Sequence, residues 1–488
     1  MIRPRLALLA VVTLACGRAK TGERLARTNC AVCHAFPEPA LLDKRTWRDG
    51  VLPEMGPRLG VSSHSLYAEV RRNPNIPLLR RAVSEDDWRK IVAYYLAAAP
   101  DSLPPQKFPE GAEPIADPSF FRVGPFVPRL QSSGVITLLQ VDSANRRLYV
   151  GEAGSNLLRV FDWNGRLLAS VQVGSPPTGA IVAGSRVLVL LSGILDPNDE
   201  PRGSLVEYDW AGTTLRAARV LIDSLYRPVF IGRSRADFII CEYGNNLGRL
   251  ALYRPRGDAY ERRVLAQSPG AIRFELRDLT GDGVPDLVAL FAQGDERIVE
   301  FPGDTAGNFA APRVLARFPP VYGSMHFELH DFNADGKLDI VYVNGDNFDF
   351  SRVLKPYHGV RILENNGAGD FVERYFYPVY GAAQTVVADF DGDGDLDMLV
   401  ASNFAAPGQA ERGIVYLENR GGYRFQPYSF SQAQGNQWNV MASADLNADG
   451  RPDAIVGAMS LASIAQGQRY GGRGIQKDKV ALLLFESR

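Results

Sequence analysis

The chain has 488 residues, with 54 Lys+Arg against 55 Asp+Glu and a formal net charge of -1. That length exceeds one ordinary core, so two or more domains or a large repeat architecture are expected. Balanced charge gives no global argument for nucleic acid or an acidic partner, and 45% hydrophobic residues with 47 Gly and 32 Pro describe a globular, turn-rich protein.

The first segment reads as a targeting signal. Arg3 and Arg5 precede the apolar run LALLAVVTLA, which is too short to span a bilayer. It ends in Thr13-Leu14-Ala15-Cys16-Gly17, which resembles a bacterial lipobox with Thr13 where Leu, Val or Ile is usual. The expectation is a signal peptide over 1–15, an acylated Cys16, and an exported chain. It would be periplasmic or anchored at the outer membrane, touching the membrane only through its lipid. An ordinary signal peptide ending near a cysteine is the alternative.

Next comes NCAVCHAFPEP. The chain has four cysteines, Cys16, Cys30, Cys33 and Cys241, too few for a disulfide framework. Cys241 lies in the strand-like DFIICEYG and reads as a buried thiol. Cys30-x-x-Cys33-His34 in an exported chain is the haem c attachment signature. Two thiols add across the two vinyl groups of a porphyrin, and the adjacent histidine reaches the iron. Zinc would need two more ligands nearby, and only His64 is offered; a thioredoxin-like site needs a strand–helix context that is missing.

The flanks agree with a small helical unit. In VSEDDWRKIVAYYLAAAP, Trp88, Ile91, Val92, Tyr95 and Leu96 fall on one helical face, Ser84 with Asp87 is a capping signal, and Pro100 closes the helix. Residues 16–100 thus resemble a monohaem cytochrome c domain, which implies an all-α fold whose first and last helices cross. Met55 is the expected sixth iron ligand, earlier in the chain than is usual in such domains. Met55 as core filler, with His64 or an open position on the iron, is the alternative.

Residues 101–125 carry six prolines, Pro104, Pro105, Pro109, Pro114, Pro118 and Pro125, and read as a semi-rigid linker. Beyond it, an acidic loop recurs four times. The four ligand sets are Asp278, Thr280, Asp282 and Asp286; Asp331, Asn333, Asp335 and Asp339; Asp389, Asp391, Asp393 and Asp397; and Asp445, Asn447, Asp449 and Asp453. Hard oxygens at positions 1, 3, 5 and 9, with a turn-making Gly at position 6, suit calcium. Because strands flank each loop, the expected object is a calcium-bound β-hairpin; an ion-free Asp/Gly turn is the alternative.

These loops, followed by LENNGAGDFVERYFYP and LENRGGYRFQPYSF, resemble FG-GAP/VCBS repeats, the repeats of the integrin α-subunit propeller. Residues 130–270 keep the strand–turn–strand rhythm without the acidic loop. Three degenerate and four calcium-type units imply a seven-bladed all-β propeller over 126–488. The expected fold class is therefore multidomain, a small all-α cytochrome c domain followed by this propeller.

If the calcium loop joins strands 1 and 2, the longer 2–3 and 4–1 loops lie on the opposite face, where Tyr357, His358, Phe404, Trp438 and Tyr470 become binding candidates. Alternation along RFELRD and HFELHD puts Arg273, Glu275 and Arg277, and likewise His326, Glu328 and His330, toward the channel or into interblade ion pairs. Two functional classes follow. One is a haem c electron-transfer protein whose calcium-stabilised propeller docks a redox partner or ligand on the face opposite the calcium loops. The other is a haem-linked enzyme whose propeller oxidises or cleaves a substrate such as a carbohydrate. No catalytic constellation is recognisable, which favours the first.

Overall fold

The computed structural model describes residues 21–61, 83–128, 130, 132, 135–346, 353–367, 369–434, 436–459 and 480–488. Cys16, His64 and Tyr470 lie outside the described residues.

Seven antiparallel sheets form a ring. Their first strands are Ile136–Asp142, Pro177–Ala183, Pro228–Ser234, Ala271–Arg277, Ser324–His330, Ala382–Ala388 and Trp438–Ala444. Each touches the first strand of the next blade, and Trp438–Ala444 touches Ile136–Asp142, so the ring is closed. The second strands are buried along nearly their whole length; Asp286–Phe291, Asp339–Asn344, Asp397–Ser402 and Asp453–Ala458 are buried at every residue. Their continuous apolar runs follow from sitting in the middle of a sheet sandwiched between two neighbouring blades. The cores therefore lie between blades; Ala454, Val456 and Phe485 of blade 7, for example, cluster with Leu399 and Tyr416 of blade 6.

Ring closure uses a strand from the N-terminal side. Phe121–Pro125 pairs antiparallel with Leu482–Ser487 and becomes the outer strand of blade 7. Ile115–Ala116 adds in parallel to the outer edge of blade 6. The stretch expected to be a linker is therefore docked along much of its length. Gln106 donates its side-chain amide to His358 O at 2.8 Å, Phe108 packs on Tyr377, and Tyr377 donates to Ala112 O at 3.3 Å. Prolines keep this stretch extended, and extended chain can pair with a sheet edge as well as it can span a gap.

The helical segment holds a helix over 21–30, a helical run through Lys44–Thr46, Trp47–Val51 and Leu52–Arg58 with a π turn at Trp47–Val51, and the helix Glu85–Ala98. Ser84 Oγ accepts from Asp87 N at 3.1 Å, the cap its sequence called for. The first and last helices cross at Gly22, where an added Cβ would lie 2.5 Å from Lys90 O and 2.9 Å from Tyr94 Cβ. Trp47, Trp88, Ile91 and Tyr95 fill the core, with Trp47 and Tyr95 rings 4.5 Å apart. This core is not closed on itself, because Val321, between blades 4 and 5, belongs to the same apolar cluster and Tyr357 packs against it. No helix among the described residues is long and apolar enough to cross a membrane.

Candidate functional site

The first helix ends at Cys30, and residues 31–35 turn away from it. Cys30 is half-buried and Cys33 exposed, and both thiols are free. Burial pushes the Cys30 thiol up to about 11, the opposite of the depressed thiol that a thioredoxin-type nucleophile needs. His34 Nδ1 lies 2.8 Å from Ala35 O. With Nδ1 as donor, Nε2 carries the free lone pair, the arrangement that presents an imidazole to a metal. Burial lowers the His34 pKa, and Asp295 and Arg317 of blade 4 act on it in opposite senses. The turn after the motif is pinned by Trp47 Nε1 donating to Pro39 O at 2.8 Å and Tyr95 Oη donating to Pro37 O at 2.9 Å.

Met55 sits half-buried in Leu52–Arg58, against the same apolar cluster as Cys30. One thiol and a thioether thus border one apolar cluster, and the second thiol and an imidazole with Nε2 available follow Cys30 in the adjoining turn. As a donor set this fits a covalently attached haem.

The four acidic loops each join strands 1 and 2 of blades 4 to 7. Position 1 gathers backbone N–H groups: Asp389 Oδ1 accepts from Gly392 N (2.7 Å) and Asp393 N (3.1 Å), and its Oδ2 from Gly394 N (3.0 Å). Asp278, Asp331 and Asp445 likewise accept from loop amides. Position 5 closes the turn by accepting from position 7, as from Val284 N, Lys337 N, Asp395 N and Arg451 N.

Position 9 has a role that spacing alone did not reveal. Asp397 accepts from Phe390 N with Oδ2 and from Asn419 N with Oδ1, and Tyr416 Oη donates to it at 2.7 Å. Asp286, Asp339 and Asp453 make the same span, from their own loop to Gly303 N, Asn365 N and Ser487 N. Each carboxylate staples loop 1–2 to the end of strand 3 while buried.

The loops differ in their capacity for an ion. Oxygens of Asp389, Asp391 and Asp397 lie within 4.8 Å of one another, the one such carboxylate trio among the described residues. Burial, with carboxylate neighbours, holds Asp391 up at about 6 and Asp397 up at about 7. A divalent cation would reverse that balance by favouring both charged forms. In blade 5, Lys337 Nζ already sits 2.7 Å from Asp335 Oδ2. In blade 4, Thr280 is exposed and its backbone N–H bonds to Asp286. Position 4 is left-handed in all four loops, with Gly281 and Gly392 in two and Ala334 (φ 57°) and Ala448 (φ 63°) in the others.

The channel opens as a cavity of about 710 Å³. The first strands of all seven blades line it, through residues such as Leu138, Ala180, Ile231, Arg273, His326, Gln384 and Met441. Its mouth carries 2–3 loop residues, among them Asp196, Tyr243, Asn245 and Asp346, and so lies on the face opposite the acidic loops.

The six charged first-strand residues divide. Glu275 stands 3.8 Å from Arg273 and 3.4 Å from Arg277. Glu328 accepts from His330 Nε2 at 2.9 Å and from Val387 N of the next blade at 3.2 Å. Arg273 and His326 instead face the cavity.

The aromatic candidates of that face mostly belong to packing. Trp438 is fully buried, its indole donating to Ala433 O at 2.9 Å. His358 is fully buried beside Tyr357 and Phe404. Tyr357 stacks on Tyr322 at 4.9 Å and reaches the helical segment. Tyr357 and His358 of the 2–3 connection of blade 5 thus fill the space between loop and blade.

A family model for FG-GAP-like repeats matches residues 278–342 and 331–400. No curated protein matches the chain. Among solved structures, a chain from an S. cerevisiae Dbp5 complex with Nup159, Gle1, IP6 and ADP is similar at 12% identity and TM-score 0.45, covering 79% of this chain and 98% of that one. A luciferin-regenerating enzyme is similar at 13% identity and TM-score 0.40, covering 64% and 99%.

Proposed function

We propose, from a seven-bladed propeller that carries FG-GAP-like repeats and serves ligand or partner binding, that this chain is an exported haem c electron-transfer protein. The observation that carries the proposal is the donor set around the first helix: Cys30 and Cys33 on one turn, His34 with Nδ1 held by Ala35 O, and Met55 on the cluster that Cys30 borders. The haem would supply one-electron transfer. Cys30 and Cys33 would hold it covalently, and His34 Nε2 and the Met55 thioether would be its iron ligands. Trp47 and Tyr95 fix the turn through Pro39 O and Pro37 O and exclude water behind it.

In this proposal calcium occupies the acidic loops, with the Asp389, Asp391 and Asp397 site the best formed, and stabilises the hairpins. The opposite face receives the redox partner or ligand. The export and anchoring part rests on residues 1–16 of the sequence: Cys16 is the lipidated residue, and Cys16→Ala should move the protein from the membrane to the soluble fraction.

The test is chemical. The purified protein should give a pyridine haemochrome spectrum whose haem survives acid–acetone extraction, and Cys30→Ser with Cys33→Ser should abolish it. Met55→Ala should give a high-spin spectrum and a lower potential. A parent without covalent haem overturns the proposal; an unchanged spectrum in Met55→Ala moves the sixth ligand elsewhere.

A further inference from the structure

The channel between blades 4 and 5 holds polar atoms that the fold leaves unused. His326 is 4% exposed and lines the cavity, yet neither ring nitrogen has a hydrogen-bond partner among the described residues. Arg273, on the neighbouring first strand, also lines the cavity, and its Nε is buried without a partner. Buried polar atoms are seldom left this way, because each forfeits its hydration with nothing in return. Other polar side chains of the channel wall are committed between blades: Thr137 donates to Pro177 O, Thr178 to Pro228 O, and Gln384 both accepts from and donates to Met441. The unpaired atoms belong to a guanidinium and an imidazole on adjoining strands.

We propose that the central channel is a binding site for a small monocarboxylate with an apolar body, whose carboxylate takes hydrogen bonds from Arg273 and His326. This deepens the reading of the propeller as a ligand-binding module on the face opposite the calcium loops, and rests on it. The charge selects a monoanion. Burial and the nearby Arg273 keep His326 neutral, so it gives one N–H and no charge. Glu275 divides itself between Arg273 and Arg277, at distances that leave Arg273 free to bind. Of the two arginines that line the cavity, Arg227 is committed to Leu195 O and Gly244 O, and Arg273, one partly compensated cation, suits one negative charge and underserves a phosphate dianion. The walls select the body: the Arg273 guanidinium lies 5.2 Å from the Phe230 ring centroid, Ile272, Met325 and Met441 line the same cavity, and unbranched Met side chains adapt to a flexible chain.

Octanoate is the probe, with 1-octanol as its uncharged match and inorganic phosphate as an anion without a body, titrated calorimetrically into the full chain. Octanoate should saturate one site, with octanol and phosphate at least tenfold weaker. Arg273→Gln should weaken octanoate by about tenfold to a hundredfold through loss of a charge-assisted hydrogen bond. His326→Leu keeps the proposal testable if Arg273→Gln folds poorly. It should bind octanoate at least tenfold more weakly and melt no lower than the parent, because it removes two unsatisfied buried nitrogens. No binding at millimolar octanoate, equal binding of octanol, or unchanged affinity in His326→Leu overturns the inference. The Cys30→Ser/Cys33→Ser variant should bind octanoate like the parent, so failure of the haem reading and failure of the channel site are separate results.

Discussion

Tyr357, in the 2–3 connection of blade 5, donates its hydroxyl to Leu41 O of the helical segment at 2.9 Å, and the same oxygen lies 3.2 Å from Val321 O. The two residues are 316 positions apart. One hydroxyl thus ties the turn after Cys30-x-x-Cys33-His34 to the junction of blades 4 and 5, with the Tyr322 ring stacked behind it. Whatever the helical segment carries is held against a particular part of the ring.

Tyr357→Phe keeps the stacking and removes the hydrogen bond. It should cost about 0.5–1.5 kcal/mol, the usual net worth of one such bond. Amide hydrogen exchange should show the loss as faster opening around residues 37–47, with the blades distant from the contact unchanged.

Calcium removal should loosen the C-terminal blades. An ion bound to the folded state alone stabilises by about 2.7 kcal/mol per site when present at a hundred times its dissociation constant. EDTA should therefore lower the melting temperature, and added calcium should restore it. Asp389→Ala with Asp391→Ala should lower the melting temperature and shrink the response to EDTA. An EDTA scan superimposable on the calcium scan would make the loops ion-free turns.

Glu296 predicts a pH dependence of a defined sign. It is buried, accepts from Gly323 N and from Ser324 N and Oγ, and burial pushes it up to about 7 from 4.5. A carboxyl with a raised folded pKa binds its proton more tightly in the folded state. Its contribution is complete below about 4.5 and is lost as pH rises through about 7. Denaturant unfolding should show Glu296→Gln losing less stability than the parent between pH 5 and pH 8; equal losses would remove Glu296 as the cause.

Position 4 of the acidic loops gives a small stabilisation test. Ala334 and Ala448 hold the left-handed conformation that Gly281 and Gly392 adopt in the sister loops. A Cβ there costs roughly 1–2 kcal/mol, partly offset by the greater entropy glycine loses on folding. Ala448→Gly should raise the chemical-denaturation midpoint slightly, and a lowered midpoint would mean that the alanine is not strained.

By itself the sequence determined what is local or periodic. Four Asp-rich loops at nearly even intervals define four blades, strand–turn–strand rhythm counts three more, and Ser84 before an apolar helical face marks a helix start. Those features need only neighbours in the chain, so spacing exposes them. Tertiary structure decided what depends on pairing between distant residues. Phe121–Pro125 became an outer strand because blade 7 lacked one, and Trp438 went to the core because a large indole between two sheets is worth more buried than exposed. The position 9 aspartates became staples because strand 3 brings unsatisfied amides beside them. The pairing of Arg273 with His326 on one cavity wall likewise exists only once consecutive blades stand side by side, since no periodicity records which polar atoms the closed ring leaves without a partner.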